Sequence, residues 1–596
     1  MHDLNFTLPG LRAAYAAGAR PAAIVAEVYR RIAAVADPGI FLHLRPEADV
    51  IAEAERLDAP DPERPLWGMP FAVKDNIDVA GLPTTAACPA FAYTPERDAF
   101  VVARLVAAGA LVIGKTNLDQ FATGLNGLRT PGPAPRNAID AGIVPGGSSS
   151  GSAVAVAHGL VPFALGTDTA GSGRVPAALN NLVGLKPTLG ALSNGGVLPA
   201  CRTLDTISVF ALTVDDAAVV FDAAAGYDAA EPFSRTLPMA PPALPAPLRI
   251  AVPEAAGLAF AGDTMQAASF AAGIALLEGE GAATTRFDIA PYFDVAAMLY
   301  NGPWVAERAV VIADLLARDP EAVLPVIRDV VGVAEGQSAA DAFRGRYRLA
   351  EMKRHVAEKL FAEADVMCVP SIPTFVSVAA LRADPIGANS LLGTYTNFVN
   401  LLDLCAMAVP LPPREDGRPG SMTLIAPAGA DARLAAVARL LERAGTRTLG
   451  ATGWPRPMAE AAPAAATADE MEIVVCGAHM SGLPLNGELT RLGGRFLRKT
   501  ATTPDYAFYA LPGTPPRPGL VRQADGEGGA IAVEVWALPA AAVGPFLAGI
   551  PQPLGLGTVR LADGTAPKGF LCEWVACRDA RNVTTLGDWR AVIAAA

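Results

Sequence analysis

Histidine is scarce in this chain, with five in 596 residues, and charge is sparse, Asp, Glu, Lys and Arg together making up 18%. Lys and Arg number 47 against 59 Asp and Glu, a formal net charge of -12, and no basic run is present. That balance argues against nucleic acid as the main partner. No window reaches about 18 uninterrupted apolar residues, so neither a membrane span nor a membrane partner is expected. The N-terminal "MHDLNFTLPGLRAAYAAGARPAAIVAEVYRRIAAV" lacks a basic region followed by an apolar core, and reads as an amphipathic helical lead-in rather than a secretory signal. Cysteine is thin and odd in number: Cys88, Cys201, Cys368, Cys405, Cys476, Cys572 and Cys577. Cys572 and Cys577 are close, but no paired His/Cys ligand set accompanies them, so no metal is expected. Reduced, buried thiols of a cytoplasmic protein are the expectation.

What is present is apolar bulk, 52% of the residues, in a chain long enough for two to four domains. Through about residue 450, strand-like runs such as "ALVIGKT" (110–116) and "DVMCVPS" (365–371) alternate with Ala-rich helical stretches such as "AAVARLLERAG" (435–445). The alternation predicts an α/β core: a large mixed, mainly parallel sheet surrounded by helices. The Ala- and Pro-rich stretch 451–470 breaks the pattern and places a linker at 456–470, between a first domain of 1–455 and a second of 471–596. In the second, "MEIVVCGAHM", "YAFYAL" and "AIAVEVWAL", with Gly-rich turns, predict a small β-rich α+β unit.

Residues 145–188 carry two Ser/Gly-rich loops, "PGGSSSGSA" and "GTDTAGSGR", each opening an Ala-rich stretch. A phosphate-binding loop would end in Gly-Lys-Ser/Thr, and no lysine stands there. Two readings remain: small residues that let helices approach closely, or a serine nucleophile. A Ser-His-Asp triad has few histidines to draw on. His2 and His43 lie in the lead-in, His158 follows an apolar helical run, and His355 sits in a charged helix. Neutral lysine is the other base able to activate serine, provided that burial lowers its pKa. Lys74 ends the apolar run Phe71-Ala72-Val73, a candidate buried strand end, although a lone lysine of this kind more often snorkels to the surface.

Taken in order, "PFAVKDNIDV", "GKTNLDQFATG", "PGGSSSGSAVAVA", "GTDTAGSGRVPAALNNLVGLKPT" and "LDTISVFALTVDDAA" resemble the amidase signature family along most of residues 60–220. The resemblance implies a Ser-cisSer-Lys triad of Ser172, Ser148 and Lys74, the two serines keeping the family's interval. It implies that Ser172 attacks an amide carbonyl while Ser148 relays its proton to a neutral Lys74. Backbone N–H groups of Thr169, Ala170 and Gly171 would then form an oxyanion hole. No cofactor is implied.

The chain with its C-terminal unit resembles the allophanate hydrolases of that family, which act on a small anionic amide and need a pocket cation. Tyr300 and Arg308 in "LYNGPWVAERAVV" match the substrate-binding pair. On one helix, eight residues would leave them about 80° apart. The plain alternative is a surface Glu307–Arg308 pair. Backbone at Gly124 is a weaker pocket candidate. Gln120 replaces the glutamate of many relatives, including that of the glutamyl-tRNA amidotransferases. "RTPGPAPRNAID" keeps Arg129 but lacks the Tyr-Gly usual before the serine loop. For the C-terminal unit, which resembles the γ-glutamyl-cyclotransferase-like domain of these enzymes, the resemblance implies decarboxylation of N-carboxycarbamate. His479 is the acid/base candidate there, with loop packing as its alternative. A homodimer, supplied with substrate by a urea carboxylase or a biuret-producing pathway, completes what the resemblance implies. The competing reading is an amidase of other small amides with an appended structural or dimerising domain.

Overall fold

The computed structural model describes residues 4–595 apart from 58, 62, 238–243, 245–247, 457–465, 467–469, 514–516 and 525–526. The chain separates into two compact units, one of 1–239 with 249–457 and one of 240–248 with 458–596. The linker placed at 456–470 lies outside the described residues except for 456, 466 and 470. Among the described residues no helix is long and apolar enough to cross a membrane.

The first unit is built on an 11-stranded sheet. Its strands are β1 (Phe41–Leu44), β2 (Pro70–Lys74), β3 (Leu111–Thr116), β4 (Phe163–Asp168), β5 (Val183–Lys186) and β6 (Thr206–Ala211). They continue with β7 (Arg249–Pro253), β8 (Ala283–Phe287), β9 (Val366–Pro370), β10 (Leu404–Leu411) and β11 (Gly420–Pro427). Across the sheet the order is β1-β3-β2-β4-β6-β5-β10-β11-β9-β7-β8. Strand β2 runs parallel to β3 and β4, and β7 parallel to β8 and β9. Every other pairing is antiparallel. The sheet is therefore mixed as expected, but parallel pairing does not dominate it. The stretch "PPREDGRPG" closes β10 and β11 into a hairpin rather than a helical crossover, and β5 and β6 also pair antiparallel. Fully buried runs such as Phe71-Ala72-Val73 and "LVIGKT" have helices on their faces, so their side chains need not alternate in polarity.

The lead-in forms two helices, Leu8–Ala16 and Pro21–Val35. His43, read from the sequence as part of that lead-in, lies instead on edge strand β1. The helix Asp431–Ala444 covers the expected 435–445 stretch except for Gly445, its C-cap. In the second unit, Glu470–Val475, Arg495–Ala501, Ala532–Pro539, Leu554–Thr558 and Lys568–Cys572 form a five-stranded sheet. Tyr506–Leu511, Arg517–Arg522 and Arg581–Asn582 form a three-stranded one. Both pack around a core that includes Ile473, Phe508, Val535 and Trp589.

Candidate active site

Lys74 is the last residue of β2, flanked by β3 and β4 and fully buried. Its Nζ donates to Ser148 Oγ at 2.8 Å and to Thr167 Oγ1 at 2.7 Å. Burial lowers its pKa from 10.5 to about 7, against the opposing pull of Asp119, Asp205 and Asp168, while Arg308 lowers it further. That shift brings the neutral amine, the form a base requires, within reach of neutral pH. Thr167, inside the motif "GTDTAGSGR" but not singled out from the sequence, fixes the amine from the second side.

Ser148 follows a cis peptide bond, Gly147–Ser148, and precedes the helix Ser150–Ala157. Every residue of that helix is buried, so its Ser, Gly and Ala do serve close packing. The close-packing reading therefore holds for this helix, while Ser148 stands in the loop before it. Ser172 stands on the turn after β4 and is 2% exposed. Its hydroxyl has no hydrogen-bond partner among the described residues, Ser148 included, so the structure joins Lys74 to Ser148 but not Ser148 to Ser172.

The 168–174 turn is held from beneath. Asp168 and Arg174 form a fully buried pair, Nη2 to Oδ1 at 2.9 Å and Nε to Oδ2 at 3.0 Å. Burial pushes Asp168 up, but Arg174 and the surrounding donors hold its carboxyl below the usual range. Asn400 Nδ2 donates to Asp168 O and Leu204 O, tying the turn to the helix Asn397–Leu401. Gly171 has φ +133, and a Cβ there would lie 2.3 Å from Thr396 Oγ1, so this position requires glycine.

One expected oxyanion donor is corrected by these contacts. The Gly171 N–H donates to Asp168 Oδ1 at 3.0 Å and is not free. The N–H groups of Thr169, Ala170 and Ser172 have no acceptor among the described residues. The Thr169 hydroxyl donates to Asp205 Oδ1 at 2.5 Å. Asp205, which also accepts the Ala200 and Cys201 N–H groups, is raised to about 6 by burial.

Tyr300 and Arg308 do not share a helix. Tyr300 is the penultimate residue of Ala290–Asn301, and Arg308 lies in Val305–Arg318. Gly302-Pro303 breaks the chain between them, because proline disfavours helical backbone in the residue before it. The two side chains still meet: Arg308 Nη2 donates to Tyr300 Oη at 3.4 Å, with the guanidinium carbon 5.1 Å from the ring centre. Nη1 donates to Thr123 Oγ1 at 3.1 Å. Arg308 is 3% exposed, and its buried Nε lacks a partner among the described residues. No carboxylate among them forms an ion pair with it. Glu307 turns away to Thr203 Oγ1 (2.7 Å) and Cys201 Sγ (2.8 Å), which removes the surface-pair alternative.

Gly124 adjoins Thr123 and packs against Asp119. Arg129 is buried, donating to Thr123 O and Pro385 O, and so supports the Thr123 loop. Gln120 is also buried. It donates to Ala87 O and Ala322 O and accepts from Leu324 N–H, a structural clamp.

His479 belongs to the second unit. Its Nε2 lies 3.0 Å from Glu488 Oε2, its ring stacks on Phe570 at 5.1 Å, and Phe546 meets it edge-on at 5.4 Å. Burial lowers its pKa, with Glu488 opposing. The adjoining loop is anchored by Glu534, which accepts from Ser481 N–H and Oγ and from Arg590. Glu534 lies in the buried strand Ala532–Pro539, where nothing in the sequence marks a buried carboxylate. Among the described residues no cluster of His, Cys, Asp and Glu is arranged to hold a metal ion.

Comparison with known proteins agrees with this architecture. The amidase family model matches residues 23–435, and that of the allophanate hydrolase C-terminal domain matches 471–594. The allophanate hydrolase structure from Kluyveromyces lactis superposes with a TM-score of 0.85 at 38% identity, covering 99% of both chains. The urea amidolyase of Lachancea kluyveri is 43% identical over 85% of this chain, which spans only 28% of that longer protein. A glutamyl-tRNA(Gln) amidotransferase component from Nitratidesulfovibrio vulgaris is 35% identical over 68% of this chain and 89% of its own. The chain therefore belongs to the amidase family, in the branch that joins the amidase domain to an allophanate hydrolase C-terminal domain.

Proposed function

We propose that this chain hydrolyses allophanate, H2N–CO–NH–COO⁻, with Ser172 as nucleophile, Ser148 as proton relay and Lys74 as base. The Ser172 proton passes to Ser148 and that of Ser148 to neutral Lys74 as the Ser172 Oγ–carbon bond forms. The N–H groups of Thr169, Ala170 and Ser172 receive the oxyanion. Collapse breaks the terminal C–N bond, the relay returns the proton, and ammonia leaves. Water attack on the acyl-enzyme then frees N-carboxycarbamate and restores Ser172. The observation that carries the substrate assignment is Arg308: a buried guanidinium with no carboxylate partner among the described residues, near enough to Lys74 to lower its proton affinity. An incoming carboxylate supplies that partner, held by Arg308 with Tyr300 beside it.

His479, polarised by Glu488, serves as the acid that protonates nitrogen as N-carboxycarbamate loses carbon dioxide. The division of the chain at 456–470 separates the two activities, in a cytoplasmic homodimer. Urea carboxylation or a biuret-producing reaction supplies the substrate. The test is release of ammonia and carbon dioxide from allophanate, acetamide and glutamine, with the full chain beside one ending at residue 470. Allophanate is expected to be the preferred substrate, with ammonia release kept and carbon dioxide release slowed in the shorter chain. Turnover of acetamide without turnover of allophanate overturns the assignment.

A further inference from the structure

Asp119 follows β3, is fully buried, and takes part in no step described above. Its backbone N–H donates to Ser148 O at 3.0 Å. Its carboxylate accepts three backbone N–H groups: Asn126 at 3.3 Å and Gly127 at 3.1 Å on Oδ2, and Arg129 at 2.9 Å on Oδ1. The same Oδ2 lies over two glycines. A Cβ on Gly147 would come within 2.1 Å of it, and one on Gly124 within 2.5 Å. Gly147 immediately precedes Ser148, and Gly124 follows Thr123, whose hydroxyl accepts from Arg308. Among the described residues no Lys or Arg forms an ion pair with this carboxylate. A buried carboxylate is costly and persists only where donors are fixed around it. Here those donors are backbone groups of the loop that carries the Arg308 contact.

We propose that Asp119 is a positioning residue that ties the Ser148–Lys74 relay to the 123–129 loop seating Arg308, so that base and carboxylate-binding end share one anchor. The inference rests on the hydrolase reading above. The charge of Asp119 also acts on the base. The charged groups facing Lys74 are Asp119, Asp205 and Asp168, which favour its protonated form, and Arg308, which disfavours it; Asp119 leads. Those facing Asp119 are Arg129 and Lys74. Neutralising Asp119 makes Lys74 easier to deprotonate, so the acid limb of the rate profile moves to lower pH.

The test is Asp119→Asn in the full chain, with allophanate as substrate. An amide of the same size turns an NH2 towards N–H donors that need an acceptor. The expected result is a fall in kcat of roughly 30-fold or more, a raised KM for allophanate, and an acid limb below that of wild type. A rate within about twofold of wild type, or a lost rate with the limb unmoved, overturns the proposal. Gly124→Ala, which presses a methyl group on Oδ2 and keeps the charge, should lower kcat/KM without moving the limb. If Asp119→Asn does not fold, an unchanged rate in Gly124→Ala overturns the proposal. Ser172→Ala runs alongside. If it retains activity, the hydrolase reading falls and takes this inference with it. If it is inactive while Asp119→Asn behaves as wild type, only this inference falls.

Discussion

Ser172→Ala should lower ammonia release from allophanate by about 10³-fold or more while leaving the fold and substrate affinity nearly unchanged. The reason is local. The hydroxyl has no hydrogen-bond partner among the described residues, so its removal strands no buried donor or acceptor. The turn beneath it is held by Asp168, Arg174 and Asn400 without the serine. The loss is therefore chemical: no acyl-enzyme forms, and the Lys74–Ser148 pair has no proton to accept. Thermal midpoint and binding of a non-hydrolysed carboxylate analogue, measured beside the rate, separate this outcome from unfolding. A variant that unfolds, or that keeps more than about a tenth of the rate, contradicts the assignment.

Replacing Arg308 should divide substrates by charge. Arg308→Gln is expected to reduce kcat/KM for allophanate about 100-fold, the scale of a lost charge-assisted hydrogen-bond pair in a buried site. The rate for acetamide, which has no carboxylate, should change severalfold at most. Arg308→Lys keeps the charge but not the planar fork and should recover only part of the loss. The comparison needs both substrates, since removing Arg308 also takes a donor from Thr123 and Tyr300 and loosens the wall for either. An equal loss on both substrates would mean that Arg308 shapes the pocket without reading the carboxylate.

The sequence made the proposed reacting groups visible because they sit in motifs whose composition is itself the signal. The apolar run before Lys74 announced a buried strand end, and burial is what brings its pKa to about 7. The scarcity of histidine pointed the same way. The supports that stayed hidden did so for a physical reason: they act across long stretches of chain. Asn400 reaches Asp168 from 232 residues away, and Arg308 reaches Thr123 across 185. The Gly171 N–H belonged to the motif, but only the folded turn shows Asp168 occupying it. The single-helix reading of Tyr300 and Arg308 failed at Gly302-Pro303, where the break was legible in the residues themselves. The expected parallel character of the sheet failed because helix–strand alternation in sequence does not report which strands become neighbours. The β10–β11 hairpin and the β5–β6 pairing are settled by packing.

The account turns on a lysine that is buried, paired with Ser148 and neutral when it takes the proton. Its most direct test is the pH dependence of kcat/KM for allophanate in the wild-type chain, which reports groups of the free enzyme. Protonated Lys74 cannot act, so the rate should fall as pH drops through about 7 and level off above it. Below about 6, protonation of Asp205 withdraws an acceptor from Thr169 and steepens the fall. A profile flat from about pH 5 to 8 would contradict a neutral Lys74 as the base.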